Sequence, residues 1–142
     1  MLKQSFSKIL PFLIFLVLST PGLANDLYDS DLTELSGTLR ALMVRSEHAK
    51  QIGPSTRLKI QSELLDLSKK LHRLQEEASG ADVELMRSGR NPDRQLQNTA
   101  AVCQSLDLVA TLTASYLDTF DNAFWLAAVQ AAQIARNLQA KK

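Results

Sequence analysis

From residue 28 onward, apolar residues recur at intervals of three and four, the spacing of helices that bury one face. Leu32, Leu35, Leu39, Leu42, Ser46 and Ala49 trace the first stripe and predict a helix over about 29–51. Asp31-Leu32-Thr33-Glu34 has capping-box spacing near its start. Gly53-Pro54 marks its stop, because Gly suits the residue after a helix and Pro cannot continue the hydrogen-bond ladder. The cleanest stripe is Ile60, Leu64, Leu67, Leu71, Leu74 and Ala78, widened on one side by Leu58, Leu65 and His72. It predicts a second helix from near Ser55 to just before Ser79-Gly80. The short Gly-Pro link makes these two helices an antiparallel hairpin.

Residues 81–88 allow one or two further helical turns, and Gly89-Arg90-Asn91-Pro92 then breaks the chain. Asn91 is the expected N-cap of the next helix, with Pro92 at its first position. Leu96, Thr99, Cys103, Leu106, Ala110, Thr113, Leu117 and Phe120 continue the helical seam, and Phe124-Trp125-Leu126 with the Ala-rich run to Ala140 resumes it. Residues 118–122 hold capping side chains but no Gly or Pro. A turn there yields an all-α, antiparallel four-helix bundle with coiled-coil-like packing. Without it there are three helices, the last running from 92 to about 140 and about 70 Å long. A chain of this size could not cover that length, so the pattern favours four helices.

The first 24 residues read as a secretory signal peptide. Lys3 and Lys8 precede a ten-residue apolar core, Ile9–Leu18, about half of what a spanning helix needs. Pro21 breaks the segment, and Gly22-Leu23-Ala24 provides small residues for cleavage after Ala24. Residues 25–142 are then expected to form a single helical-bundle domain in the periplasm. Removing Lys3 and Lys8 from 16 basic residues leaves 14 against 15 acidic ones, a net charge of −1. No second long apolar run stands out, so the exported chain is expected to be soluble.

That charge balance argues against nucleic-acid binding, which calls for a basic excess. With 45% apolar and 22% charged residues the chain has ample material for a core. One Cys excludes an internal disulfide framework and a multi-Cys zinc site. Cys103 lies on the inward seam, without a basic residue within one turn, so it reads as a small buried hydrophobe rather than a reactive thiol. An intermolecular disulfide is its other use. His48 and His72 fall on the order of 20 Å apart along the hairpin and cannot share a metal. His72 is expected to make a polar contact with Glu34 or Glu76. The last helix has no His and there is no Cys-x-x-Cys-His, so haem is disfavoured, and Met43 and Met86 read as packing residues. No Ser-His-Asp set or Gly-x-Ser-x-Gly turn is present. The expectation is a non-enzyme without cofactor or metal.

The outward face of the first helix carries the informative residues. Thr33, Gly37, Arg40 and Val44 repeat opposite the core stripe. A Gly inside a helix costs about 1 kcal/mol relative to Ala; close approach of a second helix, or tolerance at an exposed position, accounts for Gly37. In a two-fold dimer built on this strip, Arg40 meets its own copy, and an anion between the guanidiniums relieves their repulsion. Arg suits planar oxyanions because its donors form a fixed fork. Otherwise Arg40 and Arg45 are solvated surface charges.

Leu35-Ser36-Gly37-Thr38-Leu39-Arg40, followed by Arg45, resembles the signature of the type IV pilus chemoreceptor N-terminal domain, shared with periplasmic domains of nitrate-responsive histidine kinases. The resemblance covers about 11 residues. It implies an antiparallel four-helix bundle that binds nitrate or nitrite at a dimer two-fold, with Gly37 and Arg40 at the ligand and Arg45 at the following basic position. Two positions depart from that pattern: Ala41 stands where Met is expected, and Met43 where Ser is. The membrane helices that flank such domains have no counterpart here, so a membrane signalling partner would have to relay the signal.

Two functions follow. One is a periplasmic, sensor-like module, a homodimer binding a small oxyanion through Gly37, Arg40 and Arg45. The other is a protein-interaction factor without a small ligand, serving secretion, pilus assembly, chaperoning or immunity. In that second reading Phe120, Phe124 and Trp125 either present an aromatic surface or, as aromatic stripes usually do, face the core. A haem-free relative of the cytochrome bundles is a third and weaker reading.

Overall fold

The computed structural model describes residues 21–140, with side chains from residue 28 onward. The expected leader, up to residue 20, lies outside the described residues, as do residues 141–142. Four helices follow in order: α1 Pro21–Ser46, α2 Pro54–Arg87, α3 Arg94–Thr119 and α4 Asn122–Ala140. A 3-10 turn, Ala49–Gln51, lies between α1 and α2. No strand occurs among the described residues. The chain is an all-α bundle in which α3 is the central helix. It packs along α2 and α4 and also against α1, whereas α1 and α4 approach each other little.

The stripes read from the sequence form the core. Leu32, Leu39, Leu42, Ile60, Leu64 and Leu71 are buried, as are Cys103, Ala110 and Leu117. Val102 and Val109 of α3 join them from a second stripe, which α3 needs because it has neighbours on three sides. The same position explains its composition. Arg94–Thr119 is long and apolar enough to cross a membrane by length and hydropathy alone, contrary to the expectation of no second apolar run. It is the helix that packs against the other three, with 44% of its most apolar window buried. Small residues on α4, Ala128, Ala131 and Ala135, are buried and let that helix lie close to α3.

Several boundaries depart from the sequence pattern. The first turn of α1 runs through Gly22, Leu23 and Ala24, so Asp31 and Thr33 lie inside the helix and cap nothing. Thr33 turns its hydroxyl back to the carbonyl of Asp29, at 2.7 Å. The helix stops at Ser46, before the Gly-Pro signal, which lets the 3-10 turn tuck Ala49 fully into the core. The Tyr116 hydroxyl reaches across from α3 to the carbonyl of Glu47 at 3.4 Å, meeting one of the acceptors that a helix end leaves free.

Helix α2 passes through Ser79-Gly80 without a break and spans 34 residues. Ala78 and Asp82 bury on either side of the glycine, and that packing outweighs its propensity cost of about 1 kcal/mol. The true stop is Gly89, at φ 80°. Its N–H donates to the Met86 carbonyl at 3.1 Å and that of Arg90 to the Leu85 carbonyl at 3.0 Å, the Schellman pattern. The N-cap of α3 is Asp93, not Asn91, because the Asp93 carboxylate accepts from the N–H groups of Gln95 and Leu96. Pro92 consequently lies before the cap instead of at the first helical position.

The turn expected within 118–122 is present. Phe120 adopts the left-handed conformation at φ 59° and caps α3 through its N–H to the Tyr116 carbonyl at 2.8 Å. Asp121 accepts from the N–H of Ala123 at the start of α4. The left-handed backbone costs on the order of 1 kcal/mol for a non-glycine residue. The Phe120 ring offsets it by packing on the core edge beneath the Arg57 guanidinium, 4.7 Å from the ring centre.

Candidate functional site

The residues singled out on α1 occupy three different environments. Gly37 is exposed, and a Cβ added there would meet nothing within 4 Å among the described residues, so none of the four helices presses on it. Thr33 and Val44, on the same strip, are also exposed, Val44 by 68%. Arg45 turns away from them to α2, where its Nη1 lies 3.2 Å from Oε2 of Glu63. One nitrogen of the Arg45 guanidinium is thus engaged in an exposed ion pair between two helices. The structure does not gather Gly37, Arg40 and Arg45 into one cluster within the chain.

Arg40 is placed differently. It lies at the rim of a groove between α1 and α4, formed because those two helices stand apart while both pack on α3. The floor is apolar: Leu39 from α1, Leu106 and Val109 from α3, Ala132 and Ala135 from α4. The opposite rim carries Arg136. Ser36 and Gln139 supply further polar groups, and no carboxylate among the described residues lines the groove. The cavity is about 80 Å³. A single water needs about 10–15 Å³, so it has room for several, yet it falls far below the roughly 300–1,000 Å³ of pockets for drug-sized ligands. Two arginines lining a small, largely apolar space without a carboxylate among the described residues can hold a small anion.

Arg136 was not visible as a site residue from periodicity, since it falls outside the core stripe. One signal was available: it is the only charged residue between Asn122 and Ala140. Which helix it would face depended on how α4 folds back on α3, and local spacing does not contain that information.

A second cleft, between α1 and α2, is lined by Asp31, Glu34, Lys70, Arg73 and Glu77. Its charges are mixed. Burial, and then the charge of Glu34, raise the Asp31 carboxyl above its ordinary range. Burial also raises the Tyr28 phenol, with Glu77 and Asp31 adding to the shift. No group of three or more His, Cys, Asp or Glu suited to a metal occurs among the described residues. His72 pairs with Glu76 one turn along α2, at 3.3 Å on an exposed face.

Cys103 is fully buried, and desolvation pushes its thiol up to about 12, the opposite of a reactive cysteine. Phe120, Phe124 and Trp125 pack against the core, with the Trp125 ring 5.3 Å from that of Tyr116. The exposed apolar residues of α4 are instead Leu126, Val129 and Ile134. On α2, Leu58 and Leu65 are 67% and 54% exposed, so they flank the core stripe without widening it.

Comparison with known proteins finds no matching family model, curated sequence or solved structure.

Proposed function

We propose that the chain is a non-enzymatic, sensor-like helical module that binds a small anion, with Arg40 as the primary contact. One observation carries this reading. Arg40 is exposed, and among the described residues it lacks a carboxylate partner and borders a groove with no acid in its lining. The resemblance of residues 35–45 to nitrate-sensing domains supports the same ligand class, and the leader-like N-terminus supports a periplasmic setting. Gly37 lies almost one turn before Arg40 in open space, where a ligand or the α1 helix of a second copy can approach. Arg45 is paired with Glu63 of α2 and, in this reading, is left out of the ligand contacts.

In this reading an anion at Arg40 biases how α1 packs on the rest of the bundle, a shift between conformations that differ in anion affinity. A membrane signalling partner would read that shift. The test is thermal unfolding in nitrate, nitrite and chloride at matched ionic strength. Ligand at 100 times its Kd stabilises by about 2.7 kcal/mol, a shift of several degrees in a domain of this size. Arg40→Gln is expected to abolish the shift. Equal stabilisation of variant and parent removes Arg40 from the site.

A second reading rests on α4. Leu126, Val129 and Ile134 are exposed beside the uncharged Gln130 and Gln133, which favours a protein-interaction role. It predicts a stoichiometric partner that is lost on Leu126→Gln with Ile134→Gln and is indifferent to anions.

A further inference from the structure

We infer that the groove between α1 and α4 takes a short-chain monocarboxylate, its carboxylate between Arg40 and Arg136 and its alkyl end on the groove floor. The inference rests on the anion-binding reading above and names the chemical class of the ligand. Arg40 and Arg136 stand on different helices, one on each side of the groove, and both line the same space. Each presents a planar fork of donors matched to a carboxylate. A bare inorganic anion would use the rims and leave the half-buried Met43 and Ala132 of the lining against water. An alkyl group covers those two side chains and removes their apolar surface from solvent.

The depth of the groove has an identifiable cause. Ala132 and Ala135 stand where α4 turns toward the gap, and larger side chains there would fill it. Ala135 is also packed closely enough to be 1% exposed, whereas Ala132 is only half-buried and leaves its side of the groove open. The volume of about 80 Å³ limits the ligand to a few heavy atoms, which excludes a long acyl chain. Ser36 and Gln139 at the rim add hydrogen-bonding groups for the carboxylate oxygens that the guanidiniums leave free.

The experiment is calorimetric titration of the full chain with nitrate, acetate, propionate and butyrate at matched ionic strength. Affinity is expected to rise about fourfold per added methylene, the equivalent of burying one CH2, and to stop rising once the groove is full. Arg136→Gln, an exposed substitution that spares the core, is expected to weaken every carboxylate at least tenfold. Ala132→Leu is expected to abolish the gain with chain length and to spare nitrate. Nitrate binding with no gain from acetate to butyrate overturns the inference and leaves the anion reading standing. Carboxylate binding unchanged by Arg136→Gln also overturns it. Absence of binding by all four anions overturns both.

Discussion

The backbone N–H of Asp93 donates to Oδ1 of Asp82 at 2.7 Å, while the Asp93 carboxylate itself accepts from the N–H groups of Gln95 and Leu96. Gln97 completes the set with Nε2 donating to Oδ2 of Asp82 at 3.2 Å. Two carboxylates, one from the end of α2 and one from the cap of α3, thus serve the same helix start. Both lie where the α3 dipole favours negative charge. Asp82 is 7% exposed, so a lost acceptor there leaves donors poorly solvated. Asp82→Ala is expected to cost about 1–3 kcal/mol, and Asp93→Ala about 1 kcal/mol. Chemical denaturation should show the double variant departing from the sum, because the two residues share one network.

The core and the flank of α2 should respond very differently to truncation. Leu71 is fully buried and Leu65 is 54% exposed. Leu71→Ala is expected to lose about 2–5 kcal/mol through transfer and cavity terms. Leu65→Ala should stay within about 0.5 kcal/mol. Urea midpoints at constant slope would read both values. A large cost at Leu65 would mean that a further surface covers this face.

Gly37→Ala separates two roles of the outward strip. Among the described residues nothing obstructs a Cβ at residue 37, so the substitution should stabilise the helix by about 1 kcal/mol. If a second copy packs on this strip, the same Cβ weakens self-association. Sedimentation at rising protein concentration, run alongside thermal unfolding, distinguishes the outcomes. Gly80→Ala, equally unobstructed on α2, should stabilise without touching association.

Cys103 should be inert in the folded chain. Its burial and a thiol raised to about 12 leave almost no thiolate near neutral pH. Its labelling by a thiol reagent is expected to follow global unfolding, so the rate should rise with denaturant in step with the unfolding transition. Rapid labelling in buffer would show that α3 opens locally around residue 103.

Asp31 sets a pH dependence of defined sign. Burial and Glu34 raise its folded pKa above 3.8, so the folded state binds the proton more tightly than the unfolded chain. Stability contributed by this group therefore falls as pH rises through that window. Asp31→Asn is expected to raise Tm at neutral pH, and the advantage should vanish as pH drops below 3.8. Melting curves of parent and variant across pH 3–7 would test the crossing.

By itself the sequence determined the class of fold and its faces. The three-and-four spacing of Leu and Ala placed the stripes on α1, α2 and α3, because helix periodicity is a local property written in every turn. The turn at Phe120–Asp121 followed from chain length against helix length, and the inward Cys103 from its place in the seam. Boundaries were less legible. Ser79-Gly80 reads as a stop, yet packing of Ala78 and Asp82 carries α2 through it, and long-range contact outweighs a local cost of about 1 kcal/mol. What only the tertiary structure decided was which polar residues meet. Arg45 found Glu63, 18 positions away; Asp82 found the start of α3; Arg40 came to share a groove with Arg136. Those encounters depend on how far α1 and α4 splay over α3, a geometry set by side-chain volumes on three helices at once and by no single stretch of the chain.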